Sequence, residues 1–194
     1  MENNVWILIG SLALKINETI RNLYINRSFL VGPNGKVVAR YDKIHMFDIS
    51  LNDKISFEES KHFKPGNQAI LVQTNFAPLG MTICYDLRFP ELFRKGIQMG
   101  ANLFVVIACW PKIRIHHWKI LLQARAIENQ SYVFGVNRTG EEPNNKYSGN
   151  SLIIGPKGEI ISEMKEEEGI MDAKLQFSEI SKWRNEFPVL RNPH

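Results

Sequence analysis

The chain has 194 residues, of which 44% are hydrophobic and 23% are charged. These fractions are ordinary for a folded protein and exclude a mainly disordered, collagen-like or low-complexity chain. Lysine and arginine exceed aspartate and glutamate by only 4, and the excess is spread along the chain, which argues against a nucleic-acid groove.

The longest apolar run, residues 5–14, is about half as long as a membrane-spanning helix. No lysine or arginine precedes it, so it does not resemble a signal peptide. The two cysteines, Cys84 and Cys109, form no CxxC pair, and no zinc-like His/Cys spacing occurs. We therefore expect a reduced, cytoplasmic protein that binds neither a membrane nor a metal.

The first third of the chain predicts strands and one long loop. Residues 5–13 predict a fully buried strand. Residues 24–31 and 36–41 predict a hairpin about a Gly-Pro-Asn-Gly turn. Residues 48–67 are polar and predict an irregular loop over one end of a sheet.

The remaining chain alternates strands and helices. Strands are predicted at 69–74, 79–84, 103–108, 132–137 and 170–175, helices at 90–100, 118–128 and 178–185, and a hairpin at 151–154 and 159–164. This succession predicts an α/β fold with a partly parallel, partly antiparallel sheet. No linker or repeat interrupts it, so we expect a single domain over residues 1–194.

The segment MTICYDLRFPEL carries the strongest chemical signal. A buried strand leads into Cys84, and a proline that begins a helix follows. A nucleophile there is held on a tight turn at the sheet edge where ligands bind, and the Tyr85 N–H after it can serve an oxyanion. A small core cysteine is the alternative. Four charged neighbours argue against that alternative, namely Asp86, Arg88, Glu91 and Arg94.

Two earlier segments carry further candidates. Lys43 and His45 alternate in YDKIHMFD, so they share one face of a strand. An ammonium near a thiol favours the thiolate and stabilises negative charge on a carbonyl oxygen. A surface lysine and a hydrogen-bonded loop histidine are the alternatives. In FEESKHFKPG, Glu58 and Glu59 offer a carboxylate that acts as a base or holds the lysine in place, and a solvated acidic loop is the alternative.

A later segment offers two histidines and an ion pair. His116 and His117 are adjacent, so in an extended segment they point apart and make a poor metal pair. Arg125 and Glu128 are three residues apart on a predicted helix and can pair. Structural roles are favoured for all four. Spacing leaves open a Cys–His pair with His62, His116 or His117 as the base.

Five segments follow one another in this order: YDKIHMFD, FEESKHFKPG, LGMTICYDLRFPEL, HWKILLQARAIENQSYVFGVNRTG and YSGNSLIIGPKGEII. In order and spacing they resemble the nitrilase, or carbon–nitrogen hydrolase, superfamily from about Val5 to Leu190. The CYDLRFPE and ARAIENQ signatures are specific. The HLFD-like and YxGxS-like elements resemble the branch that contains omega-amidases and amidases of deaminated glutathione.

The resemblance implies a fold and an assembly. The fold is a nitrilase-like αββα sandwich with mixed sheets and outer helices. Two such units pack into a four-layer homodimer, or a higher homo-oligomer. The same resemblance implies a small-molecule amide as the ligand and a reaction without a metal or an organic cofactor.

The resemblance also implies a Glu–Lys–Cys triad. Cys84 matches the nucleophile, Lys43 the catalytic lysine and Glu59 the family's supporting glutamate. The Tyr85 N–H joins Lys43 at the oxyanion. Mainly architectural roles fall on three further residues, Arg88, Arg125 and Glu128.

One departure from the family concerns the general base. In the family the triad glutamate follows an N-terminal strand, whereas this chain begins at what resembles the third strand. We therefore expect two strand–helix units, about 60 residues, to be absent, and that glutamate with them. Losing the base costs about 10²–10⁴ in rate.

Two hypotheses follow. The first is an amidase that cleaves a small linear carboxamide, such as an omega-amide of a 2-oxo acid, to carboxylate and ammonia through a Cys thioester. The second is a catalytically impaired copy, or an interaction module, of the same fold.

Overall fold

The computed structural model describes residues 3–16, 23–52, 55–143 and 145–191. The chain divides into two compact units, a first unit of Met1–Ile70 and a second unit of Leu71–His194. The single domain expected over residues 1–194 stays a prediction.

An antiparallel sheet of three strands forms the body of the first unit. Its strands are β1 (Ile7–Lys15), β2 (Tyr24–Val31) and β3 (Val37–Asp42), in the order β1-β2-β3. The predicted hairpin is confirmed, and Gly35 supplies the positive φ of 74° that its turn requires.

Strand β1 corrects the expectation of a fully buried strand at residues 5–13. It lies at the edge of the sheet, and Val5, Ile7 and Leu12 are each about half exposed, at 50%, 51% and 47%. An apolar run indicates a strand but does not report whether another element covers it, and here burial was wrongly predicted.

Residues 48–67 also differ from the irregular loop that was predicted. β4 (Asp48–Asn52) and β5 (Ile55–Glu58) form an antiparallel hairpin, and a 3₁₀ turn at Glu59–Lys61 follows. The Phe47 and Phe57 rings pack with centroids 5.0 Å apart. This aromatic contact, between the residue before β4 and a residue of β5, stabilises a hairpin that the polar composition did not indicate.

A mixed sheet of six strands forms the second unit. Chain order gives β6 (Ile70–Gln73), β7 (Pro78–Ile83), β8 (Leu103–Ala108), β9 (Tyr132–Asn137), a separate hairpin of β10 (Thr139–Glu142) and β11 (Asn145–Ser148), then β12 (Ser151–Ile154) and β13 (Ile160–Met164). The sheet order is β13-β12-β9-β8-β7-β6. β7, β8 and β9 are parallel, whereas β12 is antiparallel to both neighbours, which confirms the mixed sheet.

The described residues of this unit also form three α-helices, α1 (Pro90–Gln98), α2 (Ile115–Asn129) and α3 (Ser178–Glu186). Proline occupies the first turn of α1, as predicted. α2 packs against β9 at Gly135, where a Cβ atom would overlap the Leu122 side chain. The core contains α1, α2 and strand residues, including Phe93, Phe104, Trp118, Leu122, Val133 and Leu152.

One further expectation is wrong, and one hairpin was not expected. Residues 170–175, predicted as a strand, form none, and Ile170 is 94% exposed. The β10–β11 hairpin was not predicted, because it is mostly charged and polar. Strand formation at these two places depends on a ladder partner rather than on apolar content.

Candidate active site

Cys84 lies on a strained turn directly after β7. Residues Cys84–Arg88 form a 3₁₀ turn, named the Cys84 turn below, and Cys84 itself has a φ of 50°. A residue other than glycine in this left-handed region costs about 1–3 kcal/mol. The surrounding contacts must offset that cost, so the conformation of the cysteine is imposed by its neighbours.

Asp86 closes the Cys84 turn from inside. Its carboxylate is fully buried, and Oδ2 accepts a hydrogen bond from the Ile83 N–H at 2.9 Å. The Asp86 carbonyl accepts the Phe89 N–H at 3.0 Å. One residue therefore joins the end of β7 to the end of the turn, on either side of Cys84.

Arg125 holds the same turn from α2. Its Nε and Nη2 donate to the Leu87 carbonyl at 3.0 and 2.8 Å, and its Nη1 pairs with Glu128 Oε1 at 2.9 Å. The Arg125–Glu128 pair expected from spacing is present. The hydrogen bonds from Arg125 to Leu87 join residues 38 positions apart, and no motif or spacing in the sequence predicts them.

Arg88, at the end of the Cys84 turn, lies between aromatic rings and a histidine. Its guanidinium carbon is 4.9 Å from the Trp110 ring centroid and 5.9 Å from that of Tyr85. Its Nη2 is 3.2 Å from Nδ1 of His117. Burial, above all, lowers the pKa of Arg88, and the nearby Arg114 lowers it further.

Trp110 is itself fixed by a buried amide. The Trp110 N–H donates to Asn137 Oδ1 at 2.7 Å, and Asn137 Nδ2 donates back to the Trp110 carbonyl at 3.1 Å. Asn137 Nδ2 also donates to the Gly149 carbonyl at 2.7 Å. Sequence reasoning missed Asn137, because a buried strand asparagine carries no motif of its own.

Lys43 and Glu59 form a nearly buried ion pair in the first unit. Lys43 Nζ is 2.5 Å from Glu59 Oε2, with only 4% of the lysine side chain and 15% of the glutamate side chain exposed. Glu59 Oε2 also accepts the Phe47 N–H at 2.7 Å. Lys43 is therefore not a surface lysine. Glu58 instead pairs with Lys61 on the surface.

The remaining candidates are the three histidines that the sequence left open as a base. His62 and His116 are exposed, and His116 and His117 lie in α2, not in the extended segment expected for them. Both cysteines are among the described residues, and neither forms a disulfide. Within those residues no three His, Cys, Asp or Glu side chains are arranged to hold a metal, and no helix is long and apolar enough to cross a membrane.

The predicted site residues thus fall into two sets. Lys43 and Glu59 are bonded to each other in the first unit, and Cys84, Tyr85, Arg88, Arg125 and Glu128 are gathered around the Cys84 turn in the second. The sequence profile described as carbon–nitrogen hydrolase matches residues 1–185. The chain belongs to the carbon–nitrogen hydrolase family. By family it is a hydrolase that acts on carbon–nitrogen bonds.

Curated members of the carbon–nitrogen hydrolase family resemble it over nearly its whole length. The 2-oxoglutaramate amidase of Bacillus subtilis is 35% identical over 97% of this chain and 68% of its own length. The deaminated glutathione amidase of Dictyostelium discoideum is 35% identical over 98% and 67%. The chain therefore spans about two thirds of these relatives.

Solved structures agree on the fold. The Caenorhabditis elegans NitFhit protein superimposes with a TM-score of 0.89 at 31% identity, over 98% of this chain and 47% of that one. Saccharomyces cerevisiae Nit3, of the nitrilase superfamily, gives 0.85 at 26% identity, over 96% and 65%. The α/β architecture with mixed sheets is thus the nitrilase fold, as expected.

Proposed function

We propose that the chain hydrolyses a small linear carboxamide to a carboxylate and ammonia, with Cys84 as the nucleophile. The observation that carries this proposal is the left-handed turn at Cys84, directly after a buried parallel strand. Backbone strain of this kind is typical of residues that do chemistry. Membership of a family with named amidases supports the reaction class.

The proposed reaction has two halves. The Cys84 sulfur forms a bond to the amide carbon, and the carbonyl oxygen takes the negative charge. The carbon–nitrogen bond then breaks, and protonated nitrogen leaves as ammonia. Water adds to the resulting thioester, the carbon–sulfur bond breaks, and the carboxylate is released with a regenerated thiol.

The supporting roles fall on the residues that the sequence singled out. Lys43 and the Tyr85 N–H stabilise the oxyanion. Glu59, already bonded to Lys43, is the proposed proton acceptor, as a substitute for the family's N-terminal glutamate. Arg88, Arg125 and Glu128 keep the Cys84 turn in place, a role that their contacts with Trp110, Leu87 and each other support.

We propose an omega-amide of a 2-oxo acid as the substrate, because two similar proteins are named 2-oxoglutaramate amidases. The test measures release of 2-oxoglutarate from 2-oxoglutaramate and, in parallel, from deaminated glutathione, because the substituted amide of the second compound releases an amine and not ammonia. We expect the higher kcat/KM for 2-oxoglutaramate and no release above background in Cys84→Ala. A purified chain that releases product no faster than Cys84→Ala and a sample without protein would reject catalysis by this chain.

The base has its own test. We expect Glu59→Gln to lose activity and Glu166→Gln to keep it, since Glu166 is an exposed carboxylate that pairs with Lys112. Both variants are compared at a temperature at which circular dichroism shows each to be folded. Equal activity in the two would contradict the role of Glu59.

A binding module of the same fold is the second candidate function. The exposed apolar residues of the edge strand β1 favour it, since such edges pair with further strands. An inactive chain that forms a stable complex through β1 would support it. We also propose that the protein is cytoplasmic and that it forms a homodimer. Light scattering on the purified chain tests the homodimer.

A further inference from the structure

Arg88 connects the Cys84 turn to α2 through a single histidine. Its Nη2 lies 3.2 Å from Nδ1 of His117, while its guanidinium stacks on Trp110 at 4.9 Å. Trp110 is locked in turn by Asn137. Outside the turn itself, Arg88 contacts the Trp110 ring and His117, and these two contacts help to hold this end of the turn.

The chemistry of this contact defines the state of the histidine. A guanidinium has donors only, so Nδ1 of His117 must be the acceptor. The imidazole is then neutral, with its proton on Nε2. An imidazolium has no lone pair at Nδ1 and would also repel the cation of Arg88.

We propose that His117 is a positioning residue: its neutral Nδ1 holds Arg88, and Arg88 holds the turn that carries Cys84 and the Tyr85 N–H. This inference rests on the proposed function insofar as Cys84 is the nucleophile. His117 itself touches no reacting atom in this scheme.

The surroundings of His117 make the contact dependent on pH. The charged and titratable groups that face it are Arg88 from the Cys84 turn, Arg114 from the segment before α2, and His116 from α2 itself. Partial burial has the largest effect on the pKa of His117 and lowers it below its ordinary 6.5. The three neighbouring groups lower that pKa further. The neutral contact is thus intact above about pH 6.5 and is lost as the pH falls through the lowered pKa.

Three variants separate the loss of the acceptor for Arg88 from the loss of side-chain volume at position 117. His117→Asn places a neutral oxygen acceptor near the position of Nδ1 and cannot be protonated. His117→Leu has similar volume and no acceptor. His116→Asn removes the neighbouring imidazole, whose ring centroid is 4.1 Å away, and leaves the Arg88 contact in place. Thermal unfolding sets an assay temperature at which all three are folded.

Two readouts are taken between pH 5 and 8. The first is kcat and KM for 2-oxoglutaramate. The second is alkylation of Cys84 by iodoacetamide, measured by mass spectrometry relative to the exposed Cys109 in the same molecule. The second readout does not require amidase activity, so a chain that fails as an amidase still tests the role of His117.

At pH 7.5 we expect His117→Asn to stay within about three-fold of wild type, and His117→Leu to lose about ten-fold in kcat and shift the alkylation ratio, because small displacements of a reacting group cost this much. Between pH 7.5 and 5.5 we expect a smaller change in His117→Asn than in wild type or His116→Asn. Identical pH dependence in wild type, His117→Asn and His116→Asn would overturn the inference. Equal kcat values and equal alkylation ratios for His117→Asn and His117→Leu at pH 7.5 would also overturn it.

Discussion

Lys43 and Glu59 in the first unit are held by each other, whereas Cys84 in the second unit is held by the backbone around it. The ion pair is direct, at 2.5 Å, and nearly buried. The cysteine is oriented by its own left-handed φ of 50° and by Asp86, which accepts the Ile83 N–H. Both arrangements fix a reactive group. The ion pair costs the hydration of two charges, whereas the turn costs backbone strain at Cys84.

The difference shows what each arrangement tolerates. A buried ion pair offsets the loss of hydration only while both charges are present, so the removal of one partner is costly. The Cys84 turn is held by the Asp86 carboxylate and by backbone hydrogen bonds, and a substitution of the Cys84 side chain leaves those bonds in place. We therefore expect activity and stability to respond separately in the two sets.

The largest expected effect is the loss of activity in Cys84→Ala. Without the nucleophile no thioester forms, and we expect kcat to fall by at least about 10⁴-fold. Ammonia release under saturating 2-oxoglutaramate measures it. Residual activity within ten-fold of wild type would show that Cys84 is not the nucleophile.

Cys84→Gly serves as the companion to that variant. Glycine adopts a positive φ without the Cβ clash, so Cys84→Gly should be about 1 kcal/mol more stable than Cys84→Ala while equally inactive. Urea unfolding of the two variants measures the difference. If Cys84→Ala were the more stable, the left-handed conformation would not be strained.

The next largest effect concerns the ion pair. We expect Lys43→Met to lose about 3 kcal/mol of unfolding free energy, because it leaves the Glu59 carboxylate nearly buried without its cation. The double variant Lys43→Met with Glu59→Gln should lose less than the sum of the two single losses. A double-mutant cycle in urea tests this, and additive losses would mean that the two side chains are not coupled.

A smaller effect is expected at Asp86. Asp86→Ala leaves the buried Ile83 N–H without its acceptor, which costs about 2 kcal/mol. Asp86→Asn keeps an oxygen acceptor and should lose less than half of that. Comparable losses in the two variants would indicate that the negative charge, rather than the acceptor, holds the turn.

The strands around the Cys84 turn were predictable because of their surroundings. β7, β8 and β9 are parallel neighbours within the sheet, and such strands read as continuous apolar runs. Cys84 was found for the same reason, since it ends one of these runs directly before a helix. Periodicity and turn residues also located the hairpin of β2 and β3.

The failures share a different physical cause. The exposure of β1 and the missing strand at 170–175 depend on what packs beside the segment, which a local pattern does not contain. The contacts of Arg88 with His117 and of Arg125 with Leu87 join residues 29 and 38 positions apart. Spacing named the residue types at the site but not these long-range hydrogen bonds.

The smallest expected effect comes from a second ion pair in the first unit. Arg27 donates to Asp42 through Nε and Nη2, at 2.5 and 2.8 Å, and both side chains are 28% exposed. The hydrogen bond to Asp42, more than its charge, raises the pKa of Arg27. Asp42→Asn makes the same chemical change as Glu59→Gln, from carboxylate to amide, in a more hydrated place.

We expect Asp42→Asn to lose less than about 1 kcal/mol, as ion pairs near the surface do, and to lose still less in 1 M salt. Glu59→Gln should cost more and keep its cost in salt, because water and ions reach Lys43 poorly. Urea unfolding of both variants at low and high salt gives the four values needed. Equal costs with equal salt dependence would mean that burial does not distinguish the two pairs, and the Lys43–Glu59 pair would then behave as an ordinary surface contact.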